Sequence, residues 1–355
     1  MKMPELLAPV GGKTHLTAAV NSGADAVYMG GLAFNARIFA DNFRDDELPE
    51  AVMYAHLRGV KVYITLNTLI RDSELVRAFE YANYLYSIGV DALIVQDMGL
   101  ARLLRLYLPD FPLHLSTQGT VYNTEALDSA TRLGFKRVVP ARELSLEEIR
   151  ELSEGARGYG MDTEIFVHGA LCMCYSGQCQ MSRILGSKNR DNFRDPYTRG
   201  SNMDAGSGRS GNRGTCAQPC RQMYTDESGR SYYALSPKDL CQIDNIPELI
   251  TAGVSSFKIE GRMKSPEYVA VVTSIYRKYI DRYADLVRNY GEEEAAGRYS
   301  VDEQDKYRLR QIFNRGSFTE GYLHGDPGED LLSGASPKNQ GICMGRIAAV
   351  IDNEQ

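Results

Sequence analysis

The feature that most constrains this chain is a repeated joint. An amphipathic stretch ends on a glycine, and an apolar strand-like run begins at once. The joints are SGAD at 22–25, RGVK at 58–61, IGVD at 88–91, LGFK at 133–136 and AGVS at 252–255. Glycine just past a helix adopts the left-handed conformation that ends it, so each joint predicts a helix stop and a strand start. Strands are expected at 5–10, 26–30, 61–67, 92–97, 112–117, 137–141, 163–169 and 256–261. Helical patterns such as DELPEAVMYAHLRG and LEEIRELSEGARGYG lie between most of them. Eight strand–helix units within the first 262 residues predict an α/β fold, a (β/α)8 TIM-like barrel. An open doubly wound sheet is the competing arrangement, but no strand is followed by G-x-G-x-x-G.

The barrel is expected over 1–262, with a long cysteine-containing insertion at about 172–231 that shows neither hydrophobic period. A helical extension is expected over 263–325, opening with SPEYVAVVTSIYRKYIDRYADLVRNYG, and 326–355 reads as the start of a small β region, either cut short or a strand added to something already present. In such a barrel the active site lies at the carboxyl ends of the strands. Those ends carry Tyr28, Asn67, Gln96, Asp97, Ser116, Thr117, Gln118, Arg142, Glu143, His168, Glu260 and Arg262, whereas most strand starts are apolar. A polar group at nearly every strand end is what a substrate pocket needs.

A net charge of −6 gives no global nucleic-acid signature, so any RNA contact must be local. The most basic stretch, 183–213, holds Arg183, Lys188, Arg190, Arg194, Arg199, Arg209 and Arg213; it is either a solvated loop or a polyanion contact. MKMPELLAPVGG lacks the apolar core of a signal peptide, and no apolar run reaches membrane-spanning length. A cytoplasmic protein without a membrane partner is expected. Seven cysteines, an odd number, then argue against a disulfide framework.

Three cysteines cluster in EIFVHGALCMCYSGQC, 164–179. Six residues separate Cys172 from Cys179, and three separate Cys216 from Cys220. Four thiolates suit zinc or an iron–sulfur cluster, and the wide first spacing fits a cluster better than a zinc knuckle. Cys241 could replace one of the four, Cys174 could point elsewhere, and Cys343 reads as a small hydrophobe. A cysteine nucleophile is a second reading, since His168 precedes Cys172 by four residues and His114 lies on another strand. Inert structural thiols are a third. Neither H-E-x-x-H nor G-x-S-x-G occurs.

EIFVHGALCMCYSGQCQMS, Glu164 to Ser182, resembles the signature of the collagenase-like peptidase family U-32: Glu-x-Phe, two residues, Gly, a small and an aliphatic residue, Cys, four residues, Gly-x-Cys, then x-aliphatic-Ser. Every fixed position matches. ELLAPVGG, GADAVYMGG, VKVYITLNT, GVDALIVQDMG, LHLSTQ, RVVPARELS, RSGNRGTCAQPCR and SFKIEGRMKSPEYV resemble the same family, from residue 5 to about 275. NARIFADNF, LNTLIRDSELV and ALIVQDMG look closest to its RNA-hydroxylating branch. The resemblance implies oxygen-independent hydroxylation of a pyrimidine in tRNA or rRNA, with prephenate as hydroxyl donor. It implies an iron–sulfur cluster, of 4Fe-4S type, on Cys172, Cys179, Cys216 and Cys220, with zinc as the alternative metal. Peptidase activity, or hydroxylation of a small aromatic such as a quinone, is the alternative function.

Under that reading Arg37, Arg142 and Arg262 would anchor a dicarboxylate donor. His168, Glu164 and His114 would move protons, with Glu260 beside them at the mouth. Tyr28, Tyr63 and Phe34 would stack on an unstacked base. The 183–213 segment would hold phosphates.

Overall fold

The computed structural model describes residues 2–185, 209–334, 336–343 and 345. Seven strands come first: β1 (Glu5–Pro9), β2 (Ala26–Met29), β3 (Lys61–Leu66), β4 (Ala92–Val95), β5 (Leu113–Leu115), β6 (Phe135–Val138) and β7 (Asp162–Ala170). Each pairs in parallel with the next. Three short strands follow, β8 (Tyr224–Thr225), β9 (Ser231–Pro237) and β10 (Asp239–Cys241), and then β11 (Ser256–Ile259). Strand β11 pairs in parallel with both β7 and β1 and closes an eight-stranded barrel. All eight expected strands are present. The five joint glycines Gly23, Gly59, Gly89, Gly134 and Gly253 have φ between +73° and +87°, the conformation that the helix-stop reading requires.

The helices α1 (Lys13–Asn21), α2 (Leu48–His56), α3 (Asp72–Ser87), α4 (Met98–Tyr107), α5 (Ala126–Arg132) and α6 (Leu146–Gly158) cover the outside of the barrel. The large apolar core lies between them and the sheet. After α7 (Met181–Leu185) and α8 (Ile246–Thr251) comes the long α9 (Pro266–Tyr290), which starts on the Ser265 cap and ends at Gly291. It buries Tyr268, Val272, Tyr276, Tyr279 and Tyr283. Helices α10 (Glu292–Arg298) and α11 (Glu303–Ile312) complete the helical extension.

Inside the barrel, Leu7, Ala26, Tyr28, Tyr63, Ala92 and Ile94 form a small separate apolar layer. Beneath it the expectation of apolar strand starts fails. Arg137 Nη1 lies 2.6 Å from Glu5 and 3.1 Å from Glu164, and Lys258 Nζ lies 2.7 Å from Glu164. The Tyr63 hydroxyl donates to Glu5 at 2.7 Å. The amino-terminal end of the barrel is therefore an ion network closed off from water, in which each buried charge has a partner.

The insertion is not irregular throughout. Strands β8 and β9 form an antiparallel hairpin. Strand β10 runs antiparallel to β7, and β12 (Phe318–Thr319) adds to β10. Near the carboxyl end, β13 (Leu332–Gly334) pairs with β9; residues 346–355 lie outside those described. No helix among the described residues is long and apolar enough to cross a membrane.

Candidate active site

A cavity of about 140 Å³ opens at the carboxyl ends of the strands. Its barrel walls include Tyr28, Asn67, Ser116, Thr117, Gln118 and Arg142, with Lys258, Glu260 and Arg262 from β11 and the loop after it. Cys172, Cys174, Cys179, Cys216 and Cys220 line the same cavity, so both distant pairs face one space, although no three His, Cys, Asp or Glu side chains among the described residues are grouped closely enough to hold a single metal ion. None of the five forms a disulfide.

Local hydrogen bonds explain how. The loop between Cys172 and Cys179 is fixed by Ser176, which is fully buried. Its Oγ accepts from Arg142 N and Nε at 3.1 and 3.0 Å, its N donates to Glu143, and its carbonyl accepts from Thr120 Oγ1. The next residue, Gly177, has φ +75° and packs against the Gln118 carbonyl, where a Cβ would collide. Gly177→Ala is expected to lower stability by about 1–3 kcal/mol through the left-handed backbone and that collision. It should also loosen Cys179; thermal unfolding and thiol reactivity would measure the two effects.

The second pair is held by its own arginines. Arg209 donates to the carbonyls of Thr215 and Cys216 at 3.1 and 2.6 Å. Arg213 forms a two-point ion pair with Glu74 of α3, at 2.8 and 2.5 Å. Arg221, next to Cys220, donates to the carbonyls of Leu171 and Pro237, so it ties the second pair to the residue before Cys172. Burial pushes the Cys220 thiol up to about 11 and, with its bond to Cys179, the Cys174 thiol up to about 12. Neither thiol is poised as a free thiolate.

The cations divide by what they touch. Arg37 pairs with Glu260 at 3.2 Å, and its charge acts on Cys172 and Cys216. Burial alone would raise the Glu260 carboxyl, but Arg37, Lys258 and Arg262 outweigh it and hold it below the usual range. Glu260 therefore stays ionised. Arg262, buried, donates to Thr65 at 3.0 Å and to Asn35 and Asn42. It braces the β2–α2 connection as well as lining the cavity. Arg142 is positioned through Nε by Ser176, and its Nη atoms have no hydrogen-bond partner among the described residues.

Several expected site residues lie elsewhere. His168 does not line the cavity. A register shift on β11 between Lys258 and Ile259 sets Lys258 opposite Phe166 but Ile259 opposite His168. This bulge turns the imidazole outward among Tyr268, Tyr276 and Phe318, where burial pushes its pKa down to about 3. His114 is inside the barrel below the cavity, edge-on to Tyr63 at 4.6 Å, and burial followed by the charges of Arg137, Lys258 and Lys61 keeps it neutral. Glu164 belongs to the floor network. Tyr63 bonds to Glu5, and Phe34 is buried in the outer core, so of the three expected stacking rings only Tyr28 lines the cavity. Asp97 caps α4 by accepting from Leu100 and also holds Ile70. Cys241 packs against Tyr276 outside the barrel and cannot replace a cavity thiol. Cys343 is exposed rather than a small packed hydrophobe.

The basic segment is only partly in view. Arg209 and Arg213 are committed to the cysteine loop and to Glu74, while Lys188, Arg190, Arg194 and Arg199 lie outside the described residues. Lys258, Phe166, Ser176 and Arg221 were missed by the strand-end criterion. Period-2 alternation along SFKIE could have found Lys258, which shares its face with Ser256 and Glu260.

Comparison with known proteins adds to this geometry. The model of peptidase family U32 matches residues 11–333. The 23S rRNA 5-hydroxycytidine C2501 synthase of Escherichia coli is 39% identical over 98% of this chain and 49% of its own length. The tRNA hydroxylation protein P1 of Bacillus subtilis is 37% identical over 81% of this chain and 66% of its own. A collagenase of Porphyromonas gingivalis is 37% identical over 90% of this chain and 73% of its own. The chain thus spans about half the length of the first of these relatives.

Proposed function

The chain belongs to peptidase family U32, and on that basis we propose that it is an enzyme that hydroxylates a pyrimidine base in tRNA or rRNA. The relatives named for rRNA and tRNA hydroxylation support the substrate class. The observation that carries the reading is the convergence of Cys172, Cys179, Cys216 and Cys220 on one cavity that also bears cations. Cysteine is the ligand set of a 4Fe-4S cluster, and these four would hold it. When bound, such a cluster supplies one-electron chemistry, which fits hydroxylation without molecular oxygen and with prephenate as the hydroxyl donor.

The chain's own groups do the binding and orientation. Arg142, set by Ser176, offers its two Nη atoms to a carboxylate of the donor. The Arg37–Glu260 pair places one compensated charge beside the thiols. Tyr28, whose hydroxyl donates to the Ile259 carbonyl at 2.9 Å, presents a fixed ring at the cavity wall. The target base must leave its stack to enter. The cysteine-peptidase alternative lacks a base: none of the five histidines, all within the described residues, lines the thiol-bearing cavity. In cells lacking this protein, a hydroxylated pyrimidine nucleoside is expected to disappear from digested RNA and to return with the intact gene. An unchanged nucleoside profile would overturn the proposal.

A further inference from the structure

We infer that Lys258 is the anion-binding group at the cavity floor and takes one carboxylate of a dianionic small-molecule co-substrate; the hydroxylation reading enters only in identifying that molecule. Lys258 stands on the inward face of β11, with its side chain 5% exposed. Its Nζ is 2.7 Å from Glu164 and lies 4.5 Å from the centre of the Tyr28 ring and 5.3 Å from that of Phe166. An ammonium has three N–H donors. Among the described residues Glu164 is the one hydrogen-bond acceptor of Lys258, and Lys258 lines the cavity, so two donors remain for an occupant.

The charge balance points the same way. Four cationic side chains, Arg37, Arg142, Lys258 and Arg262, line the cavity against one carboxylate, Glu260, and five cysteines, whose thiolates would add negative charge on the side next to Arg37. Arg37 is matched by Glu260. Glu164 sits under Lys258 but is shared with Arg137, so it compensates Lys258 only in part. A buried cation with a shared counter-ion favours a full negative charge over the carbonyl of a neutral base, which would leave the charge unmatched. The position between the Tyr28 and Phe166 rings, at the floor, suits a compact anion better than a phosphodiester of a polymer. Lys258 spends one of its three donors on Glu164 and the Arg142 side chain spends only Nε on Ser176, and a dicarboxylate has two ends to meet them.

The test is titration calorimetry on the full chain with prephenate, succinate and cytidine monophosphate as probes. Lys258→Gln is expected to weaken prephenate binding by about tenfold or more, the usual cost of losing a charged hydrogen bond. Lys258→Arg should keep most of the affinity, and cytidine monophosphate binding should not change. Equal prephenate binding by wild type and Lys258→Gln would overturn the inference and leave the hydroxylation reading intact. Loss confined to the nucleotide would also overturn it. Lys258-dependent binding of succinate without prephenate binding would support the inference while removing prephenate as donor. If Lys258→Gln does not fold, Glu164→Gln decides the matter: it leaves the ammonium in place, so binding should hold or tighten, and weakened binding counts against the inference.

Discussion

Cys172→Ser and Cys216→Ser are each expected to abolish RNA hydroxylation and to strip iron from protein prepared without oxygen. The loss should be nearly complete, from about four irons per chain to below about one. Cys172 and Cys216 come from opposite sides of the insertion, yet both line the cavity and both interact with Arg37. A cluster held by one pair alone would have two open corners and no link between the loop fixed by Ser176 and the loop fixed by Arg209. Serine keeps the size of the side chain but not the soft thiolate that iron–sulfur chemistry needs. Two controls separate ligand loss from general damage. Cys241→Ser changes a thiol that contacts Tyr276 outside the barrel, and Cys343→Ser changes an exposed one; both should retain iron and activity. Cys174→Ser should retain iron as well, because four other thiols complete the ligand set. Full activity in Cys172→Ser would remove the assignment.

Arg137→Met is expected to cost about 3–5 kcal/mol of folding stability at neutral pH, measured by urea unfolding, because it leaves the buried Glu5 carboxylate without its cation. Arg137 joins Glu5, Glu164 and Asp162 across three strands. Glu164 would keep Lys258, but Glu5 would keep only the hydroxyls of Tyr63 and Ser256. The pH dependence has a definite sign. Burial raises the Glu5 carboxyl, but the charge and hydrogen bond of Arg137, with help from Tyr63 and Ser256, bring it below the ordinary 4.5. A carboxyl with a depressed native pKa contributes stability above its unfolded value and loses it as pH falls through the native one. Wild type should therefore weaken as pH drops below 4.5. The Arg137→Met variant should lose less over the same range, because protonation relieves its unpaired carboxylate, so the gap between the two should narrow with acid.

The barrel was legible in the sequence because its signal is local and repeated. A glycine that must take positive φ marks each helix end, and the strand follows within a residue or two. That both cysteine pairs line one cavity agrees with their reading as candidate ligands, drawn from two short spacings. What was not legible depends on distant partners. Arg213 reads as a free cation until Glu74 arrives from α3, 139 positions away in the chain. His168 should by alternation face the barrel interior with Glu164 and Phe166, but the bulge opposite β11 turns it outward, and no residue in EIFVHG announces that shift. Cys241 is carried away from the cavity because β10 runs antiparallel to β7 and presents it to α9. The floor network was missed because charged residues at strand starts look like ordinary exposed strand ends until the barrel closes over them.

We propose that the thiol-lined cavity holds a redox cluster rather than a lone metal ion. Its most direct test is elemental and sulfide analysis, with an absorbance spectrum, of wild-type protein purified without oxygen. Iron and acid-labile sulfide are expected in equal amounts, about four of each per chain, with the broad visible absorbance of a cluster. One zinc per chain with no sulfide would contradict it and make the cysteines a structural site.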